Sequence, residues 1–414
     1  MRNYIHQGLK VVLIILGLLT VIPAQAADEK VPPISPWLYK QLTKAEELIS
    51  SQAYPQARKK LEKIIPKLKN KSYEQALALR SLASVYALEN NYIRAAKLLE
   101  QCLATQTLPG QQKQQALLNL GQLYIASEQY QKAIKVLQPW VQKNPKSVDQ
   151  QILVLLANAY TQLKQYRKAL PYIEQAIRLS KKPRESWFQL NLALHYELGN
   201  YSAAARILKK LVANYPDKKA YWLQLATVYQ QLSQFKQALI IQDLAYKKGY
   251  LQTEAQILQL FNLYMHNKQP YQAANLLSKE LDSQRIKKSS AHWELLANAW
   301  TNAREYKQAI TALEKASALN KKGRLYLQLA RIHVEQEHWH EAIQAINKAL
   351  DKGGLKNPGE AYILLGMSRY ETGQLSAAKK AFQKAKKYRK TQKSAEQWLN
   401  FVDSNEDIHS VVVK

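Results

Sequence analysis

The chain reads as all-α: a superhelical solenoid of about ten similar helical hairpins, closed by a C-terminal capping helix. Three observations carry that reading. An alanine recurs at positions 57, 95, 133, 169, 204, 238, 273, 309, 342 and 378, at spacings of 33 to 38 residues. Three residues before each stands Tyr54, Tyr92, Tyr130, Tyr166, Tyr201, Phe235, Pro270, Tyr306, Trp339 or Leu375. Glycine and proline number only 12 and 14 in 414 residues, against 47% hydrophobic residues, which fits packed helices better than loops. Self-similarity at such a period means one two-helix unit copied along the chain. A lone hairpin cannot bury its apolar stripe, but stacked neighbours cover it on both sides.

The elements follow in order. Residues 1–26 read as an export leader: Arg2 and Lys10 are basic, Val11 to Ile22 is apolar, and Pro23-Ala24-Gln25-Ala26 offers small residues for cleavage. Cleavage after Ala26 is expected, placing the mature chain in the periplasm of a Gram-negative bacterium. Retention as an anchor is the alternative. Against it, twelve apolar residues rise only about 18 Å as a helix, while the hydrocarbon core is roughly 30 Å thick. No cysteine stands near the site, which excludes a lipoprotein anchor. Residues 27–37 are a linker, and 38–75 a degenerate first hairpin that keeps Tyr54 and Ala57 and acts as a cap. Units starting near 76, 114, 150, 185, 219, 254, 290, 323 and 359 fill the array from 76 to 390. A capping helix over 391–403, with Trp398 and Leu399, precedes a flexible tail at 404–414.

The best-formed unit, Gln114 to Ser147, shows what each position is for. Leu117, Leu120 and Tyr124 lie at i, i+3 and i+7, one stripe of a first helix. Gly121 and Ala133 are small because two helices approach closely there. Tyr130 follows the turn and wedges between hairpins, and Pro145 helps to end the second helix. This skeleton, Leu117, Leu120-Gly121, Tyr124, Tyr130, Ala133, Leu137, Trp140 and Pro145, resembles the tetratricopeptide repeat. The resemblance returns at Trp222, Leu225-Ala226, Tyr229, Phe235, Ala238 and Ala245, and again at Trp293, Leu296-Ala297, Trp300, Tyr306, Ala309, Leu313 and Ala316. Departures are local: His195, His333 and Arg369 take the first-helix tyrosine position, and Pro270 replaces the wedge aromatic.

Catalytic chemistry finds no foothold in the sequence, and no cofactor is expected. Gly353-Gly354-Leu355-Lys356 lacks the phosphate-loop spacing, and no serine or cysteine has a base partner in a motif. His340-Glu341 opens a zinc-protease-like run, but Gln344 stands where the second histidine belongs. The stretch from His333 through Glu341 is thus a polar turn around Trp339, or else an incomplete metal site. Cys102, the single cysteine, falls where Ala176, Ala245, Ala316, Ala349 and Ala385 stand in other units, and reads as a small core residue.

The formal net charge of +29 falls by two if Arg2 and Lys10 leave with the leader, and still implies attraction to polyanions. Export makes nucleic acid an unsuitable partner; anionic membranes, lipopolysaccharide or an acidic protein remain. Two basic runs, Arg58 to Lys71 and Lys379 to Lys393, are either solvated faces or docking surfaces for such a partner.

The repeat resemblance implies a concave face lined by first helices. On this chain that face carries Asn158, Thr161, Gln162, Gln224, Thr227, Gln230, Gln231, Gln259, Asn262, Asn298, Thr301 and Asn302, then Arg324, Gln328 and Arg331. Such a lining suits an extended peptide or a partner helix, although exposed polar residues need no function. A narrower likeness lies in Ala220-Tyr221-Trp222-Leu223-Gln224-Leu225, in Gly353 to Ala361, and in Ala395-Glu396-Gln397-Trp398-Leu399. These stretches resemble periplasmic tetratricopeptide proteins associated with TonB systems of gammaproteobacteria. That resemblance implies a non-enzymatic scaffold serving import driven by TonB, ExbB and ExbD, for example of iron complexes. A scaffold for outer-membrane, pilus or peptidoglycan assembly is the alternative.

Overall fold

The computed structural model describes residues 31–143, 148–320 and 322–412, with side chains placed up to residue 404. The leader, its cleavage site and Pro145 lie outside the described residues. The chain divides into two compact units at Pro216/Asp217.

The first unit is a stack of five hairpins. They are α1 (Pro36–Ser50) with α2 (Tyr54–Ile64), α3 (Tyr73–Leu88) with α4 (Tyr92–Ala104), and α5 (Gly110–Ala126) with α6 (Tyr130–Lys143). Then come α7 (Gln150–Gln162) with α8 (Tyr166–Leu179), and α9 (Glu185–Glu197) with α10 (Tyr201–Asn214). The second unit repeats the plan. Its hairpins are α11 (Lys219–Gln231) with α12 (Phe235–Lys247), α13 (Glu254–His266) with α14 (Pro270–Asp282), and α15 (Ser290–Asn302) with α16 (Tyr306–Leu319). After α17 (Gly323–Glu335) with α18 (Trp339–Lys352) and α19 (Pro358–Glu371) with α20 (Leu375–Lys386), α21 (Gln392–Val412) closes the unit. From residue 150 to 323 the first helices begin at the expected unit starts; the earlier ones begin two to four residues sooner.

The periodic residues explain the packing. Each of the ten residues that precede an alanine by three is the first residue of a second helix. Each of the ten alanines is fully buried at 0% exposure, so a larger side chain at any of them would have to displace close-packed neighbours. The same closeness governs Gly121, where an added Cβ would lie 2.7 Å from Leu137 Cδ1, and Gly366, where it would lie 2.4 Å from Phe382 Cε1. Gly366→Ala therefore forces the Phe382 ring aside and costs about 1–3 kcal/mol, to be read from urea denaturation.

The turn inside every hairpin has one geometry that sequence inspection missed. A left-handed residue sits at Gln52, Asn90, Glu128, Lys164, Gly199, Ser233, Lys268, Arg304, Glu337 and Gly373, with φ between 56° and 74°. The next amide reaches back five residues: Gln129 N–H donates to Tyr124 O at 2.7 Å, and Gln269 N–H to Tyr264 O at 2.9 Å. This is the Schellman closure, in which glycine is the favoured left-handed residue. Only two of the ten positions hold it. Lys268→Gly relieves the steric cost of a left-handed side chain, which exceeds the extra chain entropy that glycine loses on folding, so it raises stability by roughly 0.5–1 kcal/mol in the same denaturation assay.

Hairpins are also tied to one another by the first-helix tyrosines. Tyr86 Oη donates to Glu62 at 2.7 Å, Tyr160 to Gln138 at 2.8 Å and Tyr264 to Asp243 at 2.5 Å; Tyr124 bonds Glu100 in the same way. Each acceptor lies on the preceding hairpin's second helix. Cys102 is buried, and its thiol donates to Ala76 O at 3.1 Å; burial pushes that thiol up to about 11. Among the described residues no helix is long and apolar enough to cross a membrane.

One boundary differs from expectation. The last helix continues to Val412 rather than giving way to a tail at 404. Neither glycine nor proline occurs between Gln392 and Val412, so no residue there breaks it.

Candidate functional site

The expected binding face is divided between the two units. Asn158, Thr161 and Gln162 lie on α7 of the first, and the other twelve residues on α11, α13, α15 and α17 of the second. On α11, Gln224, Thr227 and Gln231 stand at i, i+3 and i+7, and on α17 Arg324, Gln328 and Arg331 at i, i+4 and i+7. Each set is one helical stripe.

Many of these side chains already have partners within the fold. Thr161, Thr227 and Thr301 donate their hydroxyls to carbonyls one turn back, Ala157 at 2.6 Å, Leu223 at 2.9 Å and Ala297 at 2.9 Å. Gln259 Nε2 donates to Gln230 Oε1 at 3.1 Å, linking α13 to α11. Gln230 in turn reaches Gln242 Oε1 at 3.5 Å, and the buried Gln242 donates to Gln256 O at 3.2 Å. Arg324 grips Glu294 with both terminal nitrogens, the Nη2 to Oε2 contact measuring 2.7 Å, and Arg331 Nη2 lies 2.8 Å from Glu360 Oε1. Both carboxylates belong to first helices of adjoining hairpins. Gln328 Oε1 is buried without a partner in the fold.

A smaller set is left open. Gln231, Asn262, Asn298 and Asn302 are exposed on three successive first helices of the second unit, as Gln162 is in the first. In the sequence these amides are indistinguishable from those that are engaged within the fold. Arg324 and Arg331 each have an acid 29 or 30 residues away, on the first helix of an adjoining hairpin.

Two histidines replace the tying tyrosine. His195 is buried on α9, with Nε2 3.5 Å from Glu174 Oε1 on α8 and Nδ1 unpartnered. His333 is buried on α17, its ring 6.0 Å from that of His338, with Nδ1 also unpartnered. Among the described residues no three His, Cys, Asp or Glu side chains cluster as metal ligands. Burial holds both imidazoles below the ordinary histidine range, opposed in part by Glu174 at His195 and by Glu341 at His333. The folded state thus prefers them neutral. Their contribution to stability is complete above the ordinary value near 6.5 and is lost as pH falls below it, levelling off once the folded-state value is passed. Urea midpoints of the native chain should therefore fall between about pH 7 and pH 5 more than those of a His195→Tyr/His333→Tyr variant.

A concavity of about 450 Å³ opens between second helices instead, lined by Tyr246, Lys247, Lys279, Glu280, Ser283 and Arg285. Glu280 is 1% exposed and accepts from Tyr246 Oη at 2.6 Å, and Arg285 Nη1 stands 3.1 Å from its other oxygen. Lys247 is paired with Asp243 at 2.8 Å. The two ion pairs neutralise themselves, Lys279 Nζ lies over the Tyr246 ring at 5.7 Å, and the Arg285–Glu280 pair ties the 283–288 loop to α14.

Family models match parts of the chain: "Anaphase-promoting complex, cyclosome, subunit 3" over residues 103–176, and "Tetratricopeptide repeat" over 194–249 and 327–395. No curated protein matches. Among solved structures, a tetratricopeptide repeat protein from Parabacteroides merdae ATCC 43184 is 15% identical, covering 72% of this chain and 100% of its own, with a TM-score of 0.40. YrrB, a TPR protein with an unusual peptide-binding site, is 15% identical, covering 47% of this chain and 98% of its own, with a TM-score of 0.36. The Cut9–Hcn1 hetero-tetramer of APC/C is 14% identical over 91% of each chain, with a TM-score of 0.30.

Proposed function

We propose that this array of tetratricopeptide repeats is a non-enzymatic scaffold that holds an extended segment of another protein along α11, α13 and α15. One observation carries the reading: Gln231, Asn262, Asn298 and Asn302 present exposed, neutral amides on three successive first helices. A side-chain amide both donates and accepts, so a row of them matches the alternating N–H and C=O groups of an extended backbone. The paired Arg324–Glu294 and Arg331–Glu360 at the next first helix add bulk and polarity without net charge.

The finer part of the proposal is a place in the periplasm, in the service of TonB-dependent import, with TonB, ExbB, ExbD or a related envelope component as the guest. It rests on the basic and apolar pattern of residues 2–26 and on the likeness carried by 220–225, 353–361 and 395–399. Asn262→Glu/Asn298→Glu changes two exposed positions and leaves stability within about 0.5 kcal/mol. It should reduce capture of the guest, identified by photo-crosslinking from position 262 in intact cells, by roughly tenfold or more, since acids leave the guest's carbonyls facing like charge. Unchanged capture would remove this face from consideration. For the import role, deleting the gene should slow growth on scarce chelated iron and leave growth in rich medium normal; unaffected growth on chelated iron would refute it while leaving the scaffold reading standing.

A further inference from the structure

We propose that the C-terminal end of the second unit, where α20 bends into α21, is an electrostatic docking surface for membranes rich in anionic phospholipid. Between Glu371 and Glu396 the chain holds no acid and eight basic residues. Two of these are engaged: Lys379 Nζ lies 2.5 Å from Asp403 and Lys386 Nζ 3.2 Å from Glu396. The other six, Lys380, Lys384, Lys387, Arg389, Lys390 and Lys393, are exposed.

Their placement is ordered. Lys387 keeps helical backbone angles, so Lys380, Lys384 and Lys387 at i, i+4 and i+7 form one stripe along α20. Arg389, Lys390 and Lys393 extend it through the bend and the first turn of α21. The bend is pinned from beneath: Thr391 Oγ1 donates to Ala385 O at 2.9 Å, and the Tyr388 ring stacks on Tyr362 at 6.1 Å. Lys384 is steadied over the Tyr362 ring at 5.5 Å. The other basic run is broken up, because Glu62 lies within it, Arg58 pairs with Glu89 at 3.3 Å, and Lys60 is held by Gln41 at 2.8 Å.

Six outward cations on a helix stripe and a bend suit a partner whose negative charges move laterally to meet them, as lipid phosphates do. Each basic residue near such a surface adds roughly fivefold to affinity, and the attraction acts within about 8 Å at physiological salt.

The test is co-sedimentation of the protein, purified from the cell envelope in its exported form, with phosphatidylcholine vesicles that do or do not contain phosphatidylglycerol. Binding should require phosphatidylglycerol and weaken with salt. Lys380→Gln/Lys387→Gln/Lys390→Gln/Lys393→Gln should lower it on the order of a hundredfold or more. Lys59→Gln/Lys63→Gln/Lys67→Gln/Lys69→Gln, the same change of charge in the interrupted run, should lower it less than about threefold, because those residues are not part of the proposed stripe. Equal losses would overturn the proposal in favour of net charge alone. Absence of vesicle binding would overturn it too, and binding of polyglutamate in its place would point to an acidic protein. Lysine acetylation of the unaltered protein supplies a readout independent of variant folding. Vesicles should protect Lys380, Lys387, Lys390 and Lys393 but not Lys59 or Lys63, and the reverse pattern would refute the assignment.

Discussion

Replacing Phe382 by alanine should destabilise the C-terminal end of the second unit by about 3–5 kcal/mol and release α21 before the rest of the unit unfolds. Phe382 is fully buried. Its ring fills the space left by Gly366 on α19 and stacks on Trp398 of α21 at 5.4 Å with an interplanar angle of 6°. In a stack of hairpins each member is held by its neighbours. The last hairpin has α18 on one side and only α21 on the other, so a cavity at Phe382 weakens both attachments of the closing helix. Hydrogen exchange followed by mass spectrometry should show amides of α19 to α21 exchanging at least about a hundredfold faster, with those of α11 to α16 unchanged. Phe382→Leu keeps most of the apolar volume and should lose considerably less. Uniform protection across the unit in Phe382→Ala would show that α21 is not what closes the stack.

The hairpin plan was legible because it is written in residues that steric contact makes unavoidable. Only a small side chain fits where helices pack closely, so the alanines recur, and all ten prove fully buried. An aromatic or bulky residue opening each second helix is similarly periodic. The turns were less legible. Their left-handed residue is Lys, Glu, Arg, Gln, Asn or Ser in eight hairpins out of ten, because the six-residue closure tolerates a strained side chain that points into water. A search for glycine finds only Gly199 and Gly373. The tyrosine ties escaped notice for another reason: the acceptor is Glu62, Glu100, Gln138 or Asp243, so neither its type nor its distance along the chain is constant.

The candidate face was legible only in part, and the limit is physical. Repeat position places a residue on the first-helix face, but it does not distinguish an amide that meets solvent from one that meets another amide. Gln259 and Gln231 are chemically alike, yet Gln259 is bonded to Gln230 whereas Gln231 is exposed. That distinction depends on where the neighbouring first helix sits, which only the packed fold supplies. The arginine pairs were no easier to read: Arg324–Glu294 and Arg331–Glu360 lie 30 and 29 residues apart, somewhat less than one repeat, and both form.

A substitution at Arg285 should show how strongly one loop ties two hairpins together. Arg285 stands in the link after α14. It bonds Leu251 O in the link before α13 and pairs with Glu280, while Lys287 N–H donates to Glu254 at 2.9 Å. Glu280 is buried and Arg285 is partly exposed, so the two partners are not equivalent. Removing the arginine strands a buried charge whose remaining bond is the Tyr246 hydroxyl, which makes Arg285→Met cost about 3 kcal/mol, at the lower end for a broken buried pair. Glu280→Gln keeps an acceptor for Tyr246 and leaves a guanidinium that can turn to water, so it costs less, about 1–2 kcal/mol. The double variant should be more stable than the sum of the two losses predicts, by a coupling of about 1–3 kcal/mol. Chemical denaturation of all four proteins measures that coupling. A value near zero would mean that the loop is held by its backbone bonds, such as Ile286 N–H to Glu280 O at 3.0 Å, and not by the ion pair.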